Sequence, residues 1–205
     1  MNKILLVDHI THLALSPQQL NEAIENKAGG LLLIKNVLLQ EKDFKNQNGR
    51  IYPGEILARE AKKYDENFIQ TKSSFGELDH PETAIVRLEK TSHLIPRIYW
   101  DGVRLKGDIN ILDTPCGRIV ESILKAGGRV GISSRSLGSV EKVKDEITGE
   151  DFDKVGDDLE LICFDLVSNP SVLNASFKLT EGLEINKRIL NKYDNINFFI
   201  NKILE

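Results

Sequence analysis

The stretch Gly131-Ile132-Ser133-Ser134-Arg135-Ser136-Leu137-Gly138-Ser139 concentrates four serines and one arginine in nine residues. Serine and glycine at this density favour a polar turn for backbone reasons alone. The alternative is a nucleophile loop, in which one hydroxyl attacks a carbonyl carbon while backbone N–H groups and a cation stabilise the oxyanion. Taken by itself the stretch favours the turn. The choice therefore depends on a second segment upstream, Gly76-Glu77-Leu78-Asp79-His80-Pro81.

Composition bounds the class of protein. The chain has 205 residues, of which 40% are hydrophobic and 28% are charged, as is ordinary for a soluble globular protein. A net charge of −4 provides no basic field, so nucleic acid is not an expected partner. The longest clean apolar run, Leu31 to Ile34, is too short to span a bilayer, and no targeting segment is recognisable. We expect a cytosolic protein with no membrane partner.

Cysteine usage argues against a metal or a disulfide framework. Only Cys116 and Cys163 are present, and they form no CxxC pair. Both are typical of small buried side chains in a reducing compartment. We therefore predict no metal site and no cofactor.

Capping signals predict three helices. Ser16-Pro17 precedes a helix over residues 18–27, Pro53 opens one that reaches about Tyr64, and Thr114-Pro115 starts one over residues 116–126. Strand patterns occupy residues 4–7, 31–40, 86–94, 97–100, 103–112 and 159–167, with Asp101-Gly102 as a hairpin turn. Residues 68–74 are predicted to be extended, and residues 144–158 to form a solvated turn or flap.

The domain prediction follows from a change of character after Phe177. Residues 178–205 are rich in Asn, Lys and Leu and have helical periodicity, as expected of a detachable C-terminal tail. Residues 1–177 are expected to form one α+β domain, with residues 1–30 at its periphery.

Two polar residues stand out from their surroundings. His80 lies between Asp79 and Pro81, and the proline restricts the histidine to an extended backbone, although a lone loop histidine is usually a surface residue. Asp165 interrupts the apolar strand predicted over residues 159–167. A carboxylate in such a strand is normally paired, because an unpaired buried charge is costly.

Three segments in order carry a family resemblance: Asn48-Gly49-Arg50-Ile51-Tyr52-Pro53, the segment ending in His80-Pro81, and Gly131-Ile132-Ser133-Ser134-Arg135. Together they resemble the prohead core protein proteases of T4-type tailed phages and, more distantly, the procapsid proteases that share the herpesvirus assemblin fold. The resemblance covers about residues 31–177. It implies a mainly antiparallel β-barrel surrounded by helices and a serine endopeptidase that cleaves scaffold and capsid proteins inside the immature head.

By this resemblance the family's histidine falls on His80 and its nucleophile on Ser133. A serine hydroxyl is a poor nucleophile unless an imidazole within reach takes its proton. Ser134 is the alternative nucleophile, since neighbouring side chains of a strand face opposite ways. Arg135 and the backbone N–H groups after Ser133 are candidates for oxyanion or substrate binding, and a surface arginine on a turn is the alternative for Arg135.

The third catalytic residue is left open by the family comparison. Assemblins use a second histidine after the serine, whereas no histidine follows His93 here. An acid would also hold the imidazole in one tautomer, and Asp165 is our choice. A strand-end aspartate that caps a turn is the equally weighted alternative for Asp165. Asp79, Glu77 and His93 are the other candidates.

The resemblance further implies cleavage after Glu in a Leu/Ile-x-Glu context, including cleavage of the chain itself. Three self-processing sites match: Leu39-Gln40-Glu41, Leu179-Thr180-Glu181 and Ile203-Leu204-Glu205. The second site would release the tail during maturation. A pocket for glutamate needs a cation, and the sequence leaves the choice open among Lys106, Arg104 and Arg97.

Expected partners are phage scaffold or core proteins and capsid proteins as substrates, with a homo-oligomer inside the prohead in the host cytoplasm. One alternative is a non-enzymatic scaffold or structural protein on the same fold, with the serine stretch only a turn. Another is an esterase or amidase, but the Gly-x-Ser-x-Gly elbow is missing because Arg135 stands at its last position.

Overall fold

The computed structural model describes residues 3–27, 29–144 and 149–168. They belong to a compact unit, Met1–Pro170, and a second unit comprises Ser171–Glu205. The predicted C-terminal tail, residues 178–205, and the predicted cleavage sites after Glu181 and Glu205 lie outside the described residues.

Three small sheets built from ten strands form the framework of the described part. The first sheet has the order β1-β7-β10, the second β2-β6-β5-β4 and the third β3-β9-β8. Every pairing between these strands is antiparallel except β3 with β9. The strands are β1 (Ile4–Leu13), β2 (Leu32–Glu41), β3 (Arg50–Ile51), β4 (Phe75–Glu77), β5 (Thr91–Asp101), β6 (Arg104–Ile111), β7 (Val130–Gly138), β8 (Val140–Lys144), β9 (Asp151–Val155) and β10 (Glu160–Val167).

The three predicted α-helices are confirmed: α1 (Pro17–Glu25), α2 (Gly54–Tyr64) and α3 (Pro115–Lys125). Ser16 and Gln19 form a capping box at the start of α1. Thr114 Oγ1 accepts a hydrogen bond from the backbone N–H of Gly117 at the start of α3. A π-helical turn over Asp65–Ile69 continues α2, so the prediction of an extended chain from residue 68 is wrong at its start.

The main core lies where the first two sheets and the helices meet. Its fully buried side chains include Leu32 from β2, Ile109 from β6, Leu124 from α3 and Phe164 from β10. Burial of such side chains is the main stabilising contribution, about 1.5–3 kcal/mol for each large aliphatic side chain. The first sheet therefore has one face on the core, and its other face is free to carry polar groups.

The structure changes two predictions about architecture. Among the described strands the three sheets remain separate and none closes on itself, so the fold is α+β and mainly antiparallel but the predicted barrel is not confirmed. The serine stretch is no loop: its residues 131–138 lie in β7, the central strand of the first sheet, and every residue of the stretch but Leu137 is buried. The glycines and serines tolerate this because β1 and β10 satisfy the backbone of β7 on both sides.

Two smaller segments also differ from prediction. The turn or flap predicted over residues 144–158 contains the strand β9, which pairs antiparallel with β8. The strand predicted from residue 86 starts only at Thr91, after a 3₁₀ turn over Leu88–Lys90. Most charged residues of β8 and β9 are exposed to solvent, which explains why their composition resembles that of a loop.

His93 links the second sheet to the first. Its side chain is fully buried on β5. Nε2 lies 3.0 Å from the carbonyl oxygen of Phe164, to which it donates, and Nδ1 lies 2.9 Å from Ser92 Oγ. Burial lowers the pKa of His93 to about 4, and the hydrogen bond to the Phe164 carbonyl acts in the opposite direction.

We predict that His93 makes folding pH-dependent. Its pKa is about 6.5 in the unfolded chain and about 4 in the folded chain, so between these values the unfolded chain binds more protons. The contribution of neutral His93 to the free energy of unfolding is therefore fully present above about pH 6.5. It falls by about 3 kcal/mol as the pH drops towards 4. Urea unfolding at pH 7 and at pH 4 measures the loss.

The control is His93→Gln, whose neutral amide cannot titrate in this range. Its free energy of unfolding should depend less on pH than that of the wild type by about the same 3 kcal/mol. Parallel pH profiles for the two proteins would contradict the prediction.

Candidate active site

Strand β7 separates the two neighbouring serines. Side chains alternate along a strand, so Ser133 and Arg135 face one side of the first sheet and Ser134 faces the other. Ser134 Oγ accepts a hydrogen bond from Nε2 of the buried Gln40 on β2, at 3.2 Å. The structure therefore gives the two serines different partners.

Ser133 is buried against β1. It is 1% exposed, and its hydroxyl donates a hydrogen bond of 3.2 Å to the backbone carbonyl of Asp8. In the sheet register Ser133 lies opposite His9 of β1 and opposite Asp165 of β10. A peptide carbonyl thus lies beside the hydroxyl that the sequence singles out.

The side chain of Asp8 occupies a pocket of hydrogen-bond donors, here called the Asp8 pocket and formed by Asn48, Arg50 and Tyr52. The carboxylate is fully buried, and its Oδ1 accepts bonds of 2.6 Å from both Asn48 Nδ2 and Arg50 Nη1. Oδ2 accepts a hydrogen bond from the Tyr52 hydroxyl. Burial, and then the charge of Asp8, raise the pKa of Tyr52 well above its usual value, which keeps the phenol protonated as a donor.

The Asp8 pocket gives a structural role to the segment Asn48–Pro53, for which the sequence suggested no chemistry. The sequence held an indication for two of the three residues. Arg50 and Tyr52 flank Ile51, and alternating side chains of an extended segment face the same side, whereas Asn48 lies in the turn before β3. Arg50 Nη1 also donates to the carbonyl of Val7, at 3.2 Å, so the same guanidinium holds both the backbone and the side chain of β1.

His80 belongs to a loop that crosses the Ser133 face of the first sheet. The loop, residues 78–86, is fixed there because Arg135 Nη1 donates to the carbonyl of Thr83 at 2.8 Å. His80 is exposed and makes no hydrogen bond to another residue of the described part. It lies near enough to His9 for their mutual repulsion to disfavour protonation of His9.

His9 and His12 lie beside the candidate site, and sequence reasoning did not single them out. His9 is 7% exposed, and neither ring nitrogen has a hydrogen-bond partner within the described residues. Burial first, then His12 and then His80, lower the pKa of His9 to about 4. The ring centroids of His9 and His12 are 5.3 Å apart. A neutral imidazole therefore lies directly after the Asp8 carbonyl in the chain.

Asp165 is paired, as its burial requires, but with Arg135. Its Oδ1 accepts from Arg135 Nη2 at 3.2 Å and from the backbone N–H of Glu77 at 3.0 Å, and its Oδ2 lies 3.0 Å from Arg135 Nε. No hydrogen bond joins Asp165 to His80 in the described part. The assignment of Asp165 as the residue that orients His80 stays a prediction, and it would require this ion pair to open.

Arg135 is neither a surface arginine nor free to bind an oxyanion in this arrangement. It is fully buried, and its donors are directed to Asp165, to Glu77 and to the carbonyls of Thr83 and Ile85. Its role in oxyanion or substrate binding stays a prediction that these contacts do not favour.

The cations predicted for a glutamate pocket are paired elsewhere. Lys106 binds Asp101 at 2.6 Å, Arg104 binds Glu41 at 2.9 Å and Arg97 binds Asp108 at 3.1 Å, all on the second sheet or its edge. Arg50 instead holds the carboxylate of the residue whose carbonyl contacts Ser133. The predicted cleavage site after Glu41 lies in β2, where Leu39 is fully buried.

A sequence model of the family described as prohead core protein serine protease matches residues 14–186. The chain belongs to the prohead core protein serine protease family. A curated member, the prohead core protein protease of Enterobacteria phage T4, is 32% identical over 111 residues, which are 53% of this chain and 52% of the relative. The aligned part thus spans about half of the relative's length.

The fold of this family member also resembles a solved structure, that of the bacteriophage T4 capsid assembly protease, gp21. The TM-score is 0.66 at 23% sequence identity, and the match covers 82% of this chain and 99% of that chain. At this identity the likeness establishes a shared fold.

The described part of this family member contains no group of three or more His, Cys, Asp or Glu arranged to hold a metal ion. Both cysteines are free thiols. No helix among the described residues is long and apolar enough to cross a membrane.

We predict that Gly76→Ala destabilises the fold where β4 packs against β10 and against His93. A Cβ at Gly76 would lie 2.1 Å from the Phe164 carbonyl oxygen and 2.4 Å from the His93 ring, so β4 would have to move away from β10. Overpacking of this kind costs about 1–3 kcal/mol, and more where backbone is met. The free energy of unfolding in urea measures the loss.

Gly138→Ala on β7 is the matched control. The Cβ there meets its nearest atoms at 3.4 Å, an ordinary contact, so stability should change by less than about 1 kcal/mol. Equal losses for the two alanine variants would contradict the prediction.

Proposed function

We propose that this chain is a serine endopeptidase that cleaves phage scaffold or core proteins and capsid proteins after acidic residues during prohead maturation. Ser133 is the nucleophile and His80 is its general base. One observation carries the proposal: the Ser133 hydroxyl lies 3.2 Å from the carbonyl oxygen of Asp8, whose side chain fills a pocket of three donors. Membership of the protease family supports it.

On this proposal β1 lies beside Ser133 in the way that a substrate peptide would. It runs antiparallel to β7, and it presents a carbonyl to Ser133 and a carboxylate to the Asp8 pocket. A peptide with Asp or Glu before the bond to be cleaved can make the same contacts. Arg50 then selects for negative charge, because a bond from a charged donor to a carboxylate is about twice as strong as a neutral one.

On this proposal the self-processing site differs from the three sequence matches. The carbonyl beside Ser133 belongs to the Asp8–His9 bond, which follows Leu6-Val7-Asp8. Its cleavage would release residues 1–8, which include the first half of β1, and expose Ser133, which is 1% exposed while β1 is in place. The intact chain is, on this proposal, an inactive precursor.

The chemical steps follow from the groups present. The Ser133 hydroxyl rotates from the Asp8 carbonyl towards His80, which takes its proton as Oγ attacks the carbonyl carbon. The protonated imidazole then gives the proton to the leaving amine of residue 9, and water hydrolyses the acyl-enzyme by the reverse transfers. The donors of Arg135 are engaged, and the backbone N–H groups after Ser133, the other candidates for oxyanion binding, lie in a strand that is paired with both β1 and β10, so oxyanion binding would require one of these bonds to open.

The substrates and the place of action follow from the family. Scaffold or core proteins and capsid proteins would meet the enzyme inside the prohead in the host cytoplasm, where it works as a homo-oligomer. Residues 1–177 would carry the activity, and residues 178–205 would contact scaffold partners until they are removed.

A non-enzymatic scaffold protein on the same fold is the second candidate. One observation favours it: Ser133 is almost inaccessible and its hydroxyl already has a partner. The Ser133→Ala variant separates the two functions, because removing one hydroxyl deletes the nucleophile and changes no other side chain.

We expect the purified full-length chain to lose residues 1–8 on incubation near neutral pH, as measured by intact mass and N-terminal sequencing. Ser133→Ala should abolish this cleavage and Ser134→Ala should preserve it, because only Ser133 contacts the Asp8 carbonyl. Absence of Ser133-dependent cleavage after an acidic residue, in the chain and in added scaffold peptides, would refute the protease function.

We expect Arg50→Met to lower kcat/KM for peptides with glutamate before the cleaved bond by about 10- to 100-fold, the value of one charged hydrogen bond of about 1.5–3 kcal/mol. Matched peptides with glutamine at that position are the control, and for them the loss should be smaller. The same loss for both peptides would show that Arg50 does not read the charge.

A further inference from the structure

Glu77 is buried at the centre of a set of ion pairs that the catalytic steps do not use. It is fully buried at the end of β4. Oε1 accepts from the backbone N–H of Arg87 at 2.8 Å, and Oε2 accepts from Arg87 Nη2 at 3.2 Å and from Nε at 3.3 Å. Arg135 Nη2 donates to Oε1 at 3.3 Å. One carboxylate therefore joins β4, β7 and the residue that follows the His80 loop.

These bonds close the His80 loop at its base and hold it on β7. Glu77 precedes the loop and Arg87 follows it, so their contact fixes both ends. Arg135 holds the middle, through the carbonyls of Thr83 at 2.8 Å and Ile85 at 3.3 Å. On β7, Arg135 is two residues from Ser133 and faces the same side.

The residue before His80 is fixed as well. The backbone N–H of Asp79 donates to the carbonyl of Leu166 at 2.8 Å, and Asp79 Oδ1 accepts from the N–H of Ser168 at 3.1 Å. Asp79 has a φ of 56°, a conformation that a non-glycine residue rarely adopts without such support. The loop is thus tied to both β7 and β10, the strands on which Ser133 and Asp165 lie.

The burial of these charges is costly and needs a reason. Arg135, Glu77 and Asp165 have fully buried side chains, with Arg87 as the half-exposed second cation. Buried ion pairs are often no more stabilising than apolar residues of the same size, whereas their hydrogen bonds specify one geometry. A site that must hold a base within about 0.5 Å of its productive position needs that kind of support.

We propose that Glu77, Arg87 and Arg135 are positioning residues that hold the His80 loop against the strand of Ser133. This inference rests on the proposed function and assigns to Arg135 a role other than oxyanion binding. The three residues act on the reaction through His80 and contact no substrate group.

The test is Arg87→Met in the full-length chain. The side chain of Arg87 is 43% exposed, so the fold should tolerate the change, and the backbone N–H bond to Glu77 is kept. Arg118→Met is the matched control, since it removes an exposed arginine paired with Asp113 on and beside α3. Thermal unfolding of both variants checks their folding, and Arg87→Lys replaces Arg87→Met should the latter fail to fold.

The readout is the rate of Ser133-dependent cleavage of the Asp8–His9 bond, which involves no separate binding step because β1 is already in place. A small misplacement of a catalytic group costs up to about 100-fold. We expect Arg87→Met to slow the cleavage by about 10- to 100-fold and Arg118→Met to leave it unchanged. Cleavage by Arg87→Met at the wild-type rate would overturn the inference.

A His80→Gly background distinguishes positioning from a general structural effect. Free imidazole added to this variant supplies a base that no loop holds, so Arg87→Met should no longer slow the cleavage. Equal slowing with and without His80 would overturn the inference while the protease function stands. A wild-type chain that shows no Ser133-dependent cleavage would overturn the proposed function, and this inference with it.

Discussion

The site depends on the neutralisation of one buried carboxylate. Asp8 is fully buried on β1, and an unpaired charge there would cost several kcal/mol. Asn48, Arg50 and Tyr52 supply the donors that remove this cost. Because they come from one short segment, β1 can take only the register in which its acid meets that segment. The Asp8 carbonyl is thereby placed at the Ser133 hydroxyl.

A single strand, β7, creates two chemical environments from a stretch of similar small polar residues. On one face Ser134 bonds to the buried Gln40 beside the core. On the other, Ser133 and Arg135 meet the loop that carries His80. Alternation along a strand is what separates the faces, so two adjacent serines do not compete for the same role.

The polar groups of the Ser133 face differ in how firmly they are held. Arg135, Glu77 and Asp165 bind one another with no exposure to solvent. His80, which is exposed, lies at the edge of this network and has no hydrogen bond of its own in the described part. The rigid groups thus fix the backbone around His80, and the imidazole itself keeps the freedom that a proton carrier needs.

What the sequence by itself determined is local. The caps at Ser16 and Thr114 and the turn at Asp101-Gly102 depend on residues within a few positions of each other, and they place α1, α3 and the β5-β6 hairpin correctly. The assignment of Ser133 as nucleophile and His80 as base rested on resemblance to a family. That resemblance depends on the order of the motifs along the chain and uses no distance between the side chains. The serine stretch was wrongly predicted to be a turn or loop, because Ser and Gly favour turns locally. Pairing with β1 and β10 makes it a strand instead.

Only the tertiary structure decided which charges meet. Asp8 and Arg50 are 42 residues apart, and Arg135 and Asp165 are 30 apart, so their pairing depends on strand register and on which sheet face each side chain takes. A one-residue shift of strand register would turn these side chains to the opposite face of the sheet and so break the contacts. Composition and spacing carry no information about that register, because it results from the packing of the whole core.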